Sequence, residues 1–135
     1  MADSYNPLIG IIALFLAIAP ISKKKYFASL NKIGILFFSI ASVYVLMYFD
    51  SVTGMWAHMG LDYSTHGALA ISITIYLACH HFKSKLLYAT TALYFALMLY
   101  QEYHTLLDLI TTSIVLAPVV YFINRRDIIT RVKIT

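Results

Sequence analysis

Five apolar runs, separated by short polar breaks, limit what this chain of 135 residues can fold into. They lie at about 7–22, 30–49, 65–82, 86–100 and 105–123. At about 1.5 Å of helix per residue, runs of roughly 15–20 residues cross most of a ~30 Å hydrocarbon core. With 61% of residues hydrophobic and 12% charged, the composition is not that of a water-soluble domain of this size. The expected fold class is all-α. One integral membrane bundle of about five transmembrane helices forms a single domain over 1–135, ending in a basic tail at 124–135.

The charges orient that bundle. All ten basic residues fall on one side of it: Lys23, Lys24, Lys25 and Lys32, then Lys83 and Lys85, then Arg125, Arg126, Arg131 and Lys133. The positive-inside rule makes that side cytoplasmic. The N-terminus and the opposite loops then face outward or into a lumen, with Asp3, Asp50, Asp62, Glu102 and Asp108 and no Lys or Arg. Ala17-Ile18-Ala19 mimics a signal-peptide cleavage site, but no basic segment precedes it and three lysines follow closely. The single cysteine, Cys79, has no partner for an internal disulfide. The basic residues form short flanks rather than one face, so no nucleic-acid partner is expected. The partners implied are the bilayer and a membrane lipid; a homo-oligomer or a partner membrane protein is compatible with the same pattern.

The chemistry concentrates on the outward side. His104 and Asp108 are four apart, which on one helix puts them on one face within reach of each other. A carboxylate there fixes an imidazole tautomer and stabilises its cation. Ionisable residues at the edge of a membrane core are costly, and so they point to function. His66 opens the third helix as His104 opens the fifth. They are 38 positions apart, about two membrane crossings, which returns the chain to the same level. Both helices present N-termini there, where free N–H groups favour phosphate, and Ser64 and Thr65 are N-cap candidates. This set suits phosphoryl transfer: His104 attacks phosphorus, Asp108 orients it, and His66 protonates the leaving oxygen. Asp50, Asp62, Glu102, Ser64, Thr65 and Tyr103 are the expected substrate-binding residues, and no metal ligand is assigned.

Those residues resemble a family. Ser64-Thr65-His66-Gly67 is similar to the Ser-Gly-His motif of the type-2 phosphatidic acid phosphatase superfamily. His104-Thr105-Leu106-Leu107-Asp108 is similar to its His-x-x-x-Asp motif, with one helix between the two. Tyr103-His104-Thr105 through Asp108-Leu109-Ile110 resembles the sphingomyelin synthase branch more closely, and Asp62 matches an acidic element ahead of its first motif. The resemblance spans about residues 50–122. It implies a lipid phosphohydrolase or phosphotransferase working through a phospho-histidine. The chain departs from the family at several points. It lacks the Lys/Arg-Pro motif, it has Leu97 and Met98 where the phosphatases carry Ser-Arg, Thr65 replaces a glycine, and five helices stand for the usual six. A site with carboxylates and no fixed cations suits a phosphodiester better than a dianionic monoester. Trp56, Tyr63 and Tyr103 would face a cationic head group.

Other readings compete. The His104–Asp108 pair would also serve as a structural hydrogen bond. His58, His66, His104 and nearby carboxylates would suit zinc or another divalent ion, although no close histidine pair such as His-x-x-x-His is present. His66 and His80 have a two-haem spacing on one helix, but Pro118 occupies the matching depth on the fifth, leaving at most one haem between His66 and His104. His80, His81 and Cys79 are expected at the cytoplasmic interface, and Trp56 and the tyrosines in an aromatic belt. A phosphate-monoester phosphatase and a catalytically degenerate accessory subunit are the functional alternatives.

Overall fold

The computed structural model describes residues 5–23, 25–81 and 85–132, with side chains at 5–21, 25–81 and 85–125. Every regular element among the described residues is helical. In order they are α1 (Tyr5–Ile18), a 3-10 turn (Ala19–Lys23), α2 (Tyr26–Thr53), α3 (Met55–His58), α4 (Thr65–His80), α5 (Lys85–Tyr100) and α6 (Leu106–Val132). Each apolar run has become one long helix with shifted ends. α1 gives way to the tighter turn around Pro20, whose nitrogen has no hydrogen to donate. α2 extends beyond its apolar stretch until Gly54, which takes φ of 64° and donates its N–H to the Asp50 carbonyl at 2.6 Å. α6 stays helical to Val132, so most of the expected tail continues the helix. The expected third-helix end at Phe82 lies outside the described residues, as do Asp3, Lys24, Lys83 and Lys133.

α4 is the hub: it packs on α1, α2, α5 and α6. Its buried residues are mostly small (Gly67, Ala68, Ala70, Ser72 and Thr74 among them), which lets neighbouring backbones come close. α6 lies parallel to it. The Ser64 N–H donates to Thr112 Oγ1 at one end, and His80 Nε2 meets Asn124 Oδ1 at 3.0 Å at the other. Asn124 Nδ2 donates onward to Ser39 Oγ on the antiparallel α2. Asn124 Nδ2 also donates to the Val120 carbonyl, which leaves Oδ1 facing His80 Nε2 inside the bundle. His80 is therefore a core residue, 7% exposed, rather than the interfacial one expected. Asn6 of α1 donates to the His66 carbonyl and to the Tyr94 hydroxyl of α5, and Thr74 and Thr91 hydroxyls join α4 to α5 at 2.8 Å.

This topology gathers Asp50, Asp62, Glu102 and Asp108 at one end, and Lys25, Lys85 and Arg125 at the other. Polar side chains are set into its apolar core, and its exterior is apolar too. Asn6, Ser39, Ser72, Thr91, Thr112 and Asn124 are buried, while Phe15, Phe27, Tyr48, Leu93, Ile114 and Phe122 are all more than 60% exposed. By length and composition, α2 and the Leu106–Arg125 part of α6 can cross a membrane; α1 and α5 are apolar but shorter.

At Gly67 the Leu109 side chain of α6 comes close to the α4 backbone. A Cβ there would lie 2.8 Å from Leu109 Cδ2 and 3.0 Å from Ser64 Oγ, the N-cap oxygen. Gly67→Ala is expected to cost about 1–3 kcal/mol, as overpacking does. Gly67→Leu should cost more, measured as lower thermal midpoints of the purified protein.

Candidate functional site

α6 begins with a reciprocal capping box. Thr105 Oγ1 accepts from the Asp108 N–H at 3.3 Å, and Asp108 Oδ2 accepts from the Thr105 N–H at 2.8 Å. The other carboxylate oxygen, Oδ1, accepts from the Asp62 N–H at 2.8 Å. One buried side chain, 6% exposed, thus caps α6 and ties the loop before α4 to it. Its charge also sits at the positive end of the helix dipole. The α6 N-terminus is therefore partly served from within, and less open to a phosphate than its position alone implies.

His104 does not stand on α6 with Asp108 as expected; it is in the turn just before the helix. Thr105 ends the turn as the cap, so His104 cannot share a helical face. The turn still brings the two together: Nδ1 lies 3.9 Å from Asp108 Oδ2, an ion-pair distance beyond hydrogen-bond range, and the imidazole is 14% exposed. Two residues earlier, Glu102 takes φ of 56°, a left-handed conformation that costs a non-glycine residue about 1–2 kcal/mol. It makes the corner between α5 and the turn.

The loop between α2 and α4 is anchored from several sides. Asp50 Oδ1 accepts from the Trp56 N–H at 2.8 Å. Trp56 is fully buried, donates its indole N–H to Thr111 Oγ1 on α6 at 3.0 Å, and packs edge-on against Tyr63. The Tyr63 hydroxyl donates to the Val43 carbonyl. Burial, with the Asp50 carboxylate second, holds that hydroxyl protonated well above the ordinary tyrosine range. Trp56 and Tyr63 are thus core residues, not an aromatic belt or head-group box.

An open cleft of about 360 Å3 remains between these pieces, lined by Asp62, Leu99, Glu102, Tyr103, His104, Thr105 and Asp108. Tyr103 is 54% exposed at its edge. Of the expected site residues, His104, Asp108, Asp62, Glu102 and Tyr103 meet here. Asp50 closes a turn elsewhere. Ser64 is buried as the N-cap of α4, its Oγ accepting from Gly67 N–H, and Thr65 is the first residue of that helix. His66 is exposed at the same end of the bundle, but it is not in the cleft lining. His58 is exposed on α3, over Gly54. Among the described residues, no three His, Cys, Asp or Glu side chains converge as metal ligands would. Thr105 is a cleft residue missed in the sequence, although Thr-x-x-Asp ahead of an apolar run is a legible capping signature. Compared with known protein families, curated proteins and solved structures, the chain finds no match.

Asp108→Ala removes the acceptor of two backbone amides at once. It is expected to cost about 1–3 kcal/mol and to speed hydrogen exchange at the Asp62 and Thr105 amides more than elsewhere.

Proposed function

We propose that this chain is a multi-pass membrane protein that cleaves or transfers the head group of a phospholipid phosphodiester through a phospho-histidine intermediate. Membrane insertion is supported by α2 and α6, and by an apolar exterior far larger than soluble monomers carry. α1, α4 and α5, with 14–16 residues, span about 21–24 Å, which a locally thinned bilayer accommodates. The basic end carrying Lys25, Lys85 and Arg125 is cytoplasmic, and the acidic end is outer or lumenal.

The observation that carries the chemistry is His104 beside Asp108 in an open acidic cleft at the rim of an apolar bundle. Nδ1 faces the carboxylate, so an Nδ1–H tautomer leaves the Nε2 lone pair to attack phosphorus. The bond from phosphorus to the diacylglycerol oxygen breaks, and that oxygen takes a proton. His66, exposed at the same end, is the candidate donor. Water or an acceptor hydroxyl then displaces the head-group phosphate from His104 and returns the proton. Among the described residues, no Lys or Arg lines the cleft. That disfavours a dianionic monoester, while Asp62, Glu102 and the exposed Tyr103 suit a cationic head group. One observation favours a second reading, a catalytically degenerate accessory subunit: both Asp108 oxygens already accept backbone amides.

Purified protein given phosphatidylethanolamine, phosphatidylcholine and phosphatidic acid in parallel separates these readings. The proposal expects diacylglycerol from a diester, undiminished in EDTA, and loss of at least a hundredfold in His104→Ala. Faster turnover of phosphatidic acid contradicts the diester assignment, loss in EDTA favours a metal-assisted site, and no turnover of any lipid favours the accessory subunit.

A further inference from the structure

Beside the polar cleft runs a second depression of about 200 Å3, between α5 and α6. Phe95 and Leu99 of α5 face Leu106, Leu109, Ile110 and Ile114 of α6 across it. On α6 these recur at helical spacing, so they form one continuous stripe. α5 packs chiefly on α4, which leaves its α6-facing side open. Ser113 also lines the groove, but its hydroxyl donates to the Leu109 carbonyl of its own helix. The groove therefore offers no free polar group to a ligand. Leu109 is buried, while Leu106, Ile110 and Ile114 are 42–67% exposed, so the groove opens sideways onto the apolar exterior.

Leu99 lines both depressions, and Leu106 of the groove follows Thr105 of the cleft. An apolar channel thus runs directly out of the polar site and along α6. From Leu106 to Ile114 it is about 12 Å long at helical rise. We propose that this groove seats one acyl chain of the lipid whose head group occupies the cleft. The inference rests on the lipid-directed reading above and names how the substrate enters and is held: sideways between α5 and α6. A volume below the ~300 Å3 at which drug-sized pockets begin takes one chain, not two. A two-chain lipid keeps its second chain in the bilayer. Seating the chain against α6 fixes the depth of the phosphate beside the turn that carries His104.

The test uses phosphatidylethanolamine carrying a photoreactive diazirine midway along one chain, added to the full protein in lipid nanodiscs, with adducts mapped by mass spectrometry. Adducts should concentrate on Phe95, Ile110 and Ile114, at least fivefold above outward residues of α2 such as Phe38 and Tyr48. Ser113→Leu should reduce the groove adducts and lower long-chain turnover relative to that of a dibutanoyl analogue. Equal labelling of α2 and the groove would mean ordinary boundary lipid and would overturn the proposal, as would groove residues crosslinked to a second copy of the chain. Groove labelling without diacylglycerol from any lipid would keep the groove and reject the chemistry. Diacylglycerol without groove labelling would do the reverse.

Discussion

The Asp108 carboxylate accepts from two backbone amides, Thr105 and Asp62, and so ties two stretches of backbone to the start of α6. It caps α6, ends the turn that carries His104, and holds the 61–64 loop through the Asp62 amide. A buried carboxylate is tolerated only where hydrogen bonds replace its hydration, and here backbone amides supply them. The acidic cleft exists because those amides converge on one residue. The α4–α6 pairing supports the arrangement from below. Gly67 admits Leu109 to close approach, Thr112 receives the Ser64 amide, and Asn124 secures the far end against His80 and Ser39.

Much of this architecture was legible in the sequence, because the hydrophobic run lengths dictate five long helices, and their alternation brings the acidic residues to one end and the basic ones to the other. The ends were less legible. Apolar content alone does not show that α2 continues through its polar flanks to Gly54, or that α6 continues through its basic residues. Pro20 was a readable stop for α1, as was the Thr105-x-x-Asp108 cap for α6. That cap moves His104 off the helix, and the four-residue spacing to Asp108 then reflects a turn rather than a shared helical face.

The site was legible in part for the same reason. Residues close in sequence to the α5–α6 corner, Glu102, Tyr103, His104 and Asp108, meet in the cleft because local geometry alone brings them there. Asp62 joins them through a backbone bond that no spacing rule predicts. Trp56, Tyr63 and Asp50 read as candidates by residue type, but tertiary burial turned them into loop anchors. His80 and Asn124 share a depth on parallel helices, which becomes visible only once α4 and α6 are known to pack together. Buried polar side chains link the helices while the exterior stays apolar, and the groove between two loosely paired helices opens onto that apolar exterior.

The proposed reaction depends on the Nε2 lone pair of His104 as the nucleophile toward phosphorus. The most direct measurement is rapid alkaline quenching of the protein during turnover of phosphatidylethanolamine, followed by mass spectrometry of its peptides. The account predicts an acid-labile, alkali-stable phosphoethanolamine adduct on His104 that decays as product forms. Diacylglycerol released with no such adduct, or with the adduct on another residue, would contradict it.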